Sequence, residues 1–96
     1  MRIELPFIIH TLHKQAEIKK ITDYIHSLVP IREDVELSVK FYYPSGANVG
    51  DIDNLLKILF DGLQRANVLI NDRQIKVLHA AIIEDDEMIE IVIKKL

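Results

Sequence analysis

The stretch from Val35 to Tyr43 is the feature of this sequence that most restricts its fold, because apolar and polar residues alternate along it without a break. Side chains of a β-strand point alternately to the two faces of a sheet, so the pattern predicts a strand that is buried on one face only. One face carries the apolar residues Val35, Leu37, Val39, Phe41 and Tyr43. Such a strand needs neighbouring strands and an apolar layer to cover its buried face.

Two segments have the period of amphipathic helices. The first begins at Thr11, a plausible N-cap, and continues to about Leu28, before Pro30. Its apolar positions recur at spacings of three and four: Ile18, Ile21, Ile25 and Leu28. The second predicted helix runs from about Asp53 to Ala66.

Three further strands are predicted, at Arg2 to Phe7, Ile75 to Ile83 and Met88 to Lys94. The acidic turn Glu84 to Glu87 separates the last two, which predicts a hairpin. The element order is therefore β-α-β-α-β-β. This order indicates an α+β (mixed α/β) fold, in which two helices pack on a four-stranded mixed sheet. The 96 residues fit a single domain, residues 1–96.

Composition excludes several classes of protein. An apolar fraction of 49% is too high for a disordered chain, and the absence of cysteine excludes disulfides and zinc–thiolate sites. There is neither a membrane-spanning apolar run nor a signal peptide, so we expect a cytoplasmic protein with no membrane partner. The net charge of -3 argues against a generally basic DNA-binding surface. Four of the fifteen acids lie in the turn Glu84 to Glu87, so the net charge does not exclude a local basic patch elsewhere.

Asp51 and Asp53 directly precede an apolar helix and have two interpretations. Aspartate is a preferred N-cap, and acids in the first turn complement the helix dipole. Alternatively, two carboxylates at a loop-to-helix junction can approach one hard cation such as Mg²⁺. For this pair considered alone, capping is the more common role.

Two other polar features also allow two interpretations. Asp53, Lys57 and Asp61 recur at four-residue spacing, which places them on one helix face. They form either a solvated face with an ion pair or a site where Lys57 contacts a phosphate group. Asp72 follows Asn71 just before a predicted strand, where a turn is the simpler explanation.

Three spaced strings nevertheless resemble one family signature. They are Asp51-Ile52-Asp53-Asn54-Leu55-Leu56-Lys57, Phe60-Asp61-Gly62-Leu63 and Asn71-Asp72-Arg73-Gln74-Ile75. In this order they resemble the RusA-like crossover junction endodeoxyribonucleases. The resemblance implies a homodimer that resolves Holliday (four-way) junctions with Mg²⁺, for which Mn²⁺ is a possible substitute. It implies Asp51, Asp53 and Asp72 as metal ligands and Lys57 as the essential basic catalytic residue.

The chain departs from the family pattern in places that bear on DNA binding. Asn71 replaces the first acid of a paired motif, and Ala47 to Gly50 carries no charge where many members are basic. Three alternatives therefore stay open: a metal-dependent nuclease without junction preference, a non-catalytic DNA- or protein-binding module, and a structural dimerisation domain. The candidate residues for contacts with backbone phosphates are Lys14, Lys19, Lys20, Arg73 and Lys76.

The length of the second helix raises a question about Asp72. A helix from Asp53 to Ala66 is about 20 Å long at roughly 1.5 Å per residue. Asp72 follows its far end, so it reaches Asp53 within one chain only if residues 67–71 run back along the helix. The sequence therefore favours a composite site in which each subunit's Asp72 completes the site of its partner.

Overall fold

The computed structural model describes residues 1–96 and confirms the predicted element order. One four-stranded mixed sheet carries two α-helices, and a short 3₁₀ helix precedes the third strand. Neither helix is long and apolar enough to cross a membrane. The elements are β1 (Arg2–Leu5), α1 (Lys14–Tyr24), β2 (Val35–Tyr43), α2 (Ile52–Arg65), the 3₁₀ helix (Asp72–Gln74), β3 (Ile75–Glu84) and β4 (Met88–Lys95).

The sheet has the strand order β1-β4-β2-β3, so the predicted hairpin between β3 and β4 is wrong. β2 lies between them, parallel to β3 and antiparallel to β4. The Asp85 N–H donates to the Tyr43 carbonyl over 2.9 Å, which shows the acidic turn crossing the end of β2. Two alternating strands with a short connection resemble a hairpin locally, but β4 pairs with the other edge of β2 and with β1, so the turn between β3 and β4 crosses the end of β2.

The alternation in β2 determines which face of the sheet the helices cover. All five apolar positions of β2 are buried, together with residues of both helices, β1 and β4, in one cluster of 21 residues. The largest fully buried side chains of this core include Phe41, Leu5, Ile21, Leu59 and Ile91. The opposite face of the sheet has no covering helix and is lined with polar side chains such as Lys40 and Glu90. The result is a two-layer α/β arrangement with one apolar core.

The first helix is shorter than its apolar period suggested. α1 begins at Lys14, with His13 as an N-cap that makes no side-chain hydrogen bond, so the expected Thr11 cap is wrong. It ends at Tyr24, since Ile25 adopts an extended backbone and Leu28 is exposed. Beyond the helix the backbone hydrogen bonds are made with the end of α2, where the Ser27 N–H donates to the Ala66 carbonyl over 2.8 Å.

Gly62 allows the two helices to pack closely. A Cβ atom at this position would lie 2.8 Å from Ile21 Cδ1 and 3.0 Å from Ile21 Cγ2. Glycine in a helix interior costs about 1 kcal/mol relative to alanine. The close contact with Ile21 accounts for the presence of glycine at a buried position of α2.

The two ends of the sheet have different surroundings, which we name the Tyr43 end and the Val35 end after the last and first residues of β2. Residues 6–13, residues 44–51, the start of α2 and the acidic turn lie at the Tyr43 end. The 3₁₀ helix lies at the Val35 end, where Ile75 pairs with Val35. β2 separates these ends by about 26 Å at roughly 3.3 Å per residue.

Candidate active site

Asp51 and Asp53 lie at the Tyr43 end, where the loop after β2 meets α2. Asp51 holds the N-cap position with φ −65° and ψ 141°, and its carbonyl accepts from the Leu55 N–H over 3.1 Å. Its carboxylate makes no capping hydrogen bond. Both aspartates are exposed and make no ion pair. Capping by the side chain therefore does not explain Asp51, and both carboxylates are free to bind a cation.

The loop that carries Asp51 packs tightly against the segment before α1. A Cβ atom at Gly50 would lie 2.5 Å from Thr11 Cγ2 and 2.7 Å from Thr11 Oγ1. Only glycine fits this contact without movement of one of the two segments. Gly50 and Thr11 thereby fix the approach of the loop to the start of α2.

Lys57 lines a notch between the starts of the two helices. The notch has a volume of about 290 Å³ and is lined by Thr11, Lys14, Asn54, Lys57 and Ile58. Asp61 Oδ2 lies 2.9 Å from Lys14 Nζ, so Asp61 pairs across the helices and not with Lys57. Lys57 takes part in none of the six ion pairs of the chain. Its free ammonium, one turn after Asp53, can contact an anionic oxygen.

Asp72 lies at the Val35 end, far from the other two aspartates. It begins the 3₁₀ helix and is exposed. No group of three histidine or acidic side chains within one chain is placed to hold a metal ion. The structure therefore brings Asp51, Asp53 and Lys57 together but does not bring Asp72 of the same chain to them.

Gln74 holds the turn that carries Asp72. Its Oε1 accepts from the backbone N–H groups of Ile70 at 2.8 Å and Asn71 at 3.0 Å. Its Nε2 donates to the carbonyls of Ile31 at 2.7 Å and Glu33 at 2.9 Å. Gln74 lies within the family signature, but its role could not be predicted from the sequence. Two of its hydrogen-bond partners are more than forty residues away along the chain.

A group of polar side chains holds residues 8–10 against the sheet beside the Asp51 loop. The Tyr43 hydroxyl donates to the Ile9 carbonyl over 2.7 Å. Glu17 Oε2 accepts from the His10 N–H at 3.2 Å and from Lys20 Nζ at 3.2 Å. Burial, with a smaller contribution from Glu17, raises the pKa of the Tyr43 hydroxyl to about 12. Tyr43 thus ties the N-terminal segment to the end of β2.

Replacement of Tyr43 by phenylalanine tests this tie. We expect Tyr43→Phe to lower the free energy of unfolding by about 1 kcal/mol at pH 7, because the Ile9 carbonyl loses its partner. The raised pKa stabilises the fold fully below pH 10, and that contribution is lost as pH rises from 10 through about 12. Urea denaturation at pH 8 to 11.5 should therefore show a smaller alkaline loss of stability for the variant than for the wild type. The control is Tyr24→Phe, because Tyr24 is exposed and its variant should lose as much stability at alkaline pH as the wild type. An equal alkaline loss of stability in Tyr43→Phe and the wild type would contradict the role of Tyr43.

The five candidate phosphate-contacting residues do not form one patch in a single chain. Lys14 lines the notch at the Tyr43 end, whereas Arg73 and Lys76 are exposed near the Val35 end. Lys19 Nζ lies 2.6 Å from Asp23 Oδ2. The Lys20 ammonium also donates to the Ile8 carbonyl, so it is already used in holding residues 8–10.

The model of one known protein family matches this chain. No curated protein sequence matches the chain. The family model described as Endodeoxyribonuclease RusA matches residues 12–94. This match spans most of the chain, including both helices, the candidate aspartates and Lys57. The chain therefore belongs to the RusA endodeoxyribonuclease family.

Proposed function

We propose that this protein is a metal-dependent endodeoxyribonuclease that resolves four-way DNA junctions in recombination and repair. One observation carries the proposal. In a chain of the RusA family, Asp51 and Asp53 lie uncommitted at the start of α2, one turn from the unpaired ammonium of Lys57. Free carboxylates beside a free ammonium suit the hydrolysis of a phosphodiester. In such a reaction the carboxylates hold a metal cation, and the cation and the ammonium both stabilise negative charge on one phosphate.

The residues present fit a hard divalent cation. Mg²⁺ takes oxygen ligands, and it is often held by one or two carboxylates together with waters and substrate phosphate. Asp51 and Asp53 are two such oxygen donors, exposed and without protein partners. We infer Mg²⁺ as the cofactor and Mn²⁺ as a substitute, since both accept octahedral oxygen coordination.

Each residue of the site has a distinct role in the proposed reaction. The chemistry supplied by a bound Mg²⁺ is Lewis-acid activation of water and of a phosphate oxygen. Asp51 and Asp53 hold the cation at the junction of loop and helix. Lys57 offsets the negative charge that develops on the phosphate or on the leaving oxygen. Lys14, which also pairs with Asp61, and Asn54 line the same notch and would contact a neighbouring phosphate.

We further propose that the protein works as a homodimer with composite sites. Asp72 lies at the opposite end of the sheet from Asp51 and Asp53, as the length of α2 suggested. Residues 67–71 do not bring Asp72 back to Asp51 and Asp53 of the same chain. In a dimer with a two-fold axis, Asp72 of the partner subunit can lie at the Tyr43 end instead. Two symmetric sites would then cut two strands of like polarity in a four-way junction.

A cleavage assay tests the function. We expect the wild type to cut a labelled synthetic four-way junction in Mg²⁺, and EDTA to abolish the cutting. Asp51→Asn should reduce the rate by about 100-fold or more, a typical effect of removing one group that stabilises the transition state. Asp34→Asn, an exposed aspartate at the Val35 end, is the matched control and should cut normally.

The same assay separates the alternatives. Equal cutting of junction, linear duplex and flap would indicate a nuclease without junction preference. Binding of the junction without cutting would indicate a non-catalytic DNA-binding module. Full activity of Asp51→Asn would overturn the proposed site.

A further inference from the structure

A second notch lies beside the candidate active site, and we name it the Glu17 notch. It has a volume of about 290 Å³ and lies against the loop that leads to Asp51. Thr11 lines both this notch and the notch that Lys57 lines, so the two are neighbours. The residues around the Glu17 notch include His10, Thr11, His13, Glu17, Asn48 and Gly50. A group bound in the Glu17 notch therefore lies next to the phosphate on which Asp51 and Lys57 would act.

Glu17 supplies a buried hydrogen-bond acceptor to this notch. The residue is 8% exposed and is one of the two buried polar residues of the chain. Its Oε2 accepts from the His10 N–H and from Lys20 Nζ, each over 3.2 Å. Its other oxygen, Oε1, accepts no hydrogen bond from the protein. Because every buried side-chain nitrogen and oxygen of the chain has a hydrogen-bond partner, the unpartnered Oε1 must be accessible from the notch.

The protein holds this oxygen in a fixed place and offsets its charge. The two hydrogen bonds to Oε2 leave the Glu17 carboxylate little freedom to turn. The Lys20 ammonium, which makes one of them, also donates to the Ile8 carbonyl over 3.2 Å and is thereby fixed beside the carboxylate. A carboxylate whose charge is offset by a neighbouring ammonium is repelled less by the phosphates of DNA. Oε1 is therefore a preorganised acceptor at the edge of the candidate active site.

A hydrogen-bond acceptor in this place recognises a base and not a phosphate. The backbone of DNA offers acceptor oxygens, whereas the hydrogen-bond donors lie on the edges of the bases. Cytosine has an amino group at N4 and adenine has one at N6, while thymine and guanine carry the acceptors O4 and O6 at the equivalent positions. A carboxylate is accordingly a recognised partner of the cytosine amino group. Opposite Oε1, thymine or guanine would instead place one acceptor against another.

The other side chains of the notch also suit a base. His10 and His13 are exposed, and aromatic rings such as imidazole stack on bases. Asn48 is exposed on the opposite side and carries both a donor and an acceptor. We propose that the Glu17 notch binds one base of the DNA beside the cleaved bond, and that Glu17 Oε1 selects adenine or cytosine by accepting from its amino group. This assignment rests on the proposed function for its DNA substrate.

Glu17→Gln is a sharp test, because the protein itself determines which way the new amide points. The amide oxygen must face the His10 N–H and the Lys20 ammonium, since both are donors. The amide nitrogen then takes the place of Oε1 and becomes a donor in the notch. We expect the wild type to prefer adenine or cytosine and Glu17→Gln to prefer guanine or thymine, each by about tenfold. A general loss of stability cannot invert a preference in this way.

Binding measures the preference without any cleavage. Fluorescence anisotropy in EDTA gives dissociation constants for four-way junctions that differ in one base pair at each position near the branch point. A second series replaces adenine by purine, which lacks only the amino group. The wild type should lose about tenfold in affinity on this replacement and Glu17→Gln should not, while any change in base pairing affects both proteins equally. Glu4→Gln, at an exposed glutamate of β1, is the matched control and should behave as the wild type.

The outcomes separate this assignment from the proposed function. Equal affinity of the wild type for all four bases at every position would overturn the assignment, as would an unchanged preference in Glu17→Gln. Failure of the wild type to bind any of the junctions would overturn it as well. A preference that inverts as expected, in a protein that cuts none of the junctions in Mg²⁺, would support the assignment and count against the nuclease function alone.

Discussion

A mixture of the Asp51→Asn and Asp72→Asn variants, each inactive alone, is expected to regain cleavage after subunit exchange. In a composite site the Asp72→Asn subunit keeps Asp51 and Asp53, and its partner supplies an intact Asp72. Half of the dimers formed by random exchange would be mixed, and each mixed dimer would contain one complete site. The mixture should therefore contain about a quarter of the complete sites of the same amount of wild type, and should nick a labelled junction at about a quarter of the wild-type rate. Its product should be a nick in one strand, because only one site per dimer is complete.

The matched control is a mixture of Asp51→Asn and Asp53→Asn. These residues lie on the same chain at the start of α2, so no exchange can assemble a complete site from them. If mass spectrometry with one variant labelled with ¹⁵N shows exchanged dimers and the first mixture still does not nick, Asp72 does not act across the interface. The comparison depends on no assumption about how the dimer is built.

Replacement of Gln74 is expected to have the largest effect on stability. Gln74→Leu keeps a similar volume but removes four hydrogen bonds to backbone groups, leaving the partners of a buried amide unsatisfied. An unsatisfied buried group costs about 1 to 3 kcal/mol, so we expect a total loss of about 3 kcal/mol or more. In a chain of this size the melting temperature should fall by about 15 °C.

Calorimetry or thermal circular dichroism would measure the effect. The control is Gln15→Leu, because Gln15 accepts one exposed hydrogen bond from Arg65 and should contribute less than about 0.5 kcal/mol. A loss of 1 kcal/mol lowers the melting temperature of a domain of this size by roughly 4 to 8 °C. A melting temperature for Gln74→Leu within 3 °C of the wild type would therefore contradict the structural role. Because Gln74 holds the 3₁₀ helix that begins with Asp72, Gln74→Leu should also reduce cleavage through Asp72.

Local patterns predicted the elements where packing and sequence period agree. The bounds of β2 match the prediction because a strand buried on one face alternates strictly along its whole length. α2 was predicted within one residue at each end, because its strong apolar stripe faces the core. α1 was predicted too long, because Ile25 and Leu28 continue the helical period although the chain has already turned toward Ala66.

Strand pairing could not be predicted in the same way. β3 and β4 each have the composition of a strand, but their partners depend on the crossover through α2 and on the hydrogen bond from Asp85 to Tyr43. Such pairings are decided by contacts between residues far apart in sequence. The place of β3 at the sheet edge, and with it the exposed residues Leu78 and Ile82, follows from this topology alone.

The sequence by itself determined the family, the order of the elements and the positions of Asp51, Asp53, Lys57 and Asp72, because these follow from residue types at short spacing. Only the tertiary structure decided that the Asp51 carboxylate does not cap its helix and that Asp61 pairs with Lys14. It also decided that Asp72 lies at the far end of the sheet. The reason is physical: spacing along a chain places side chains on a helix face, but the distance between two ends of a sheet depends on how its strands are paired.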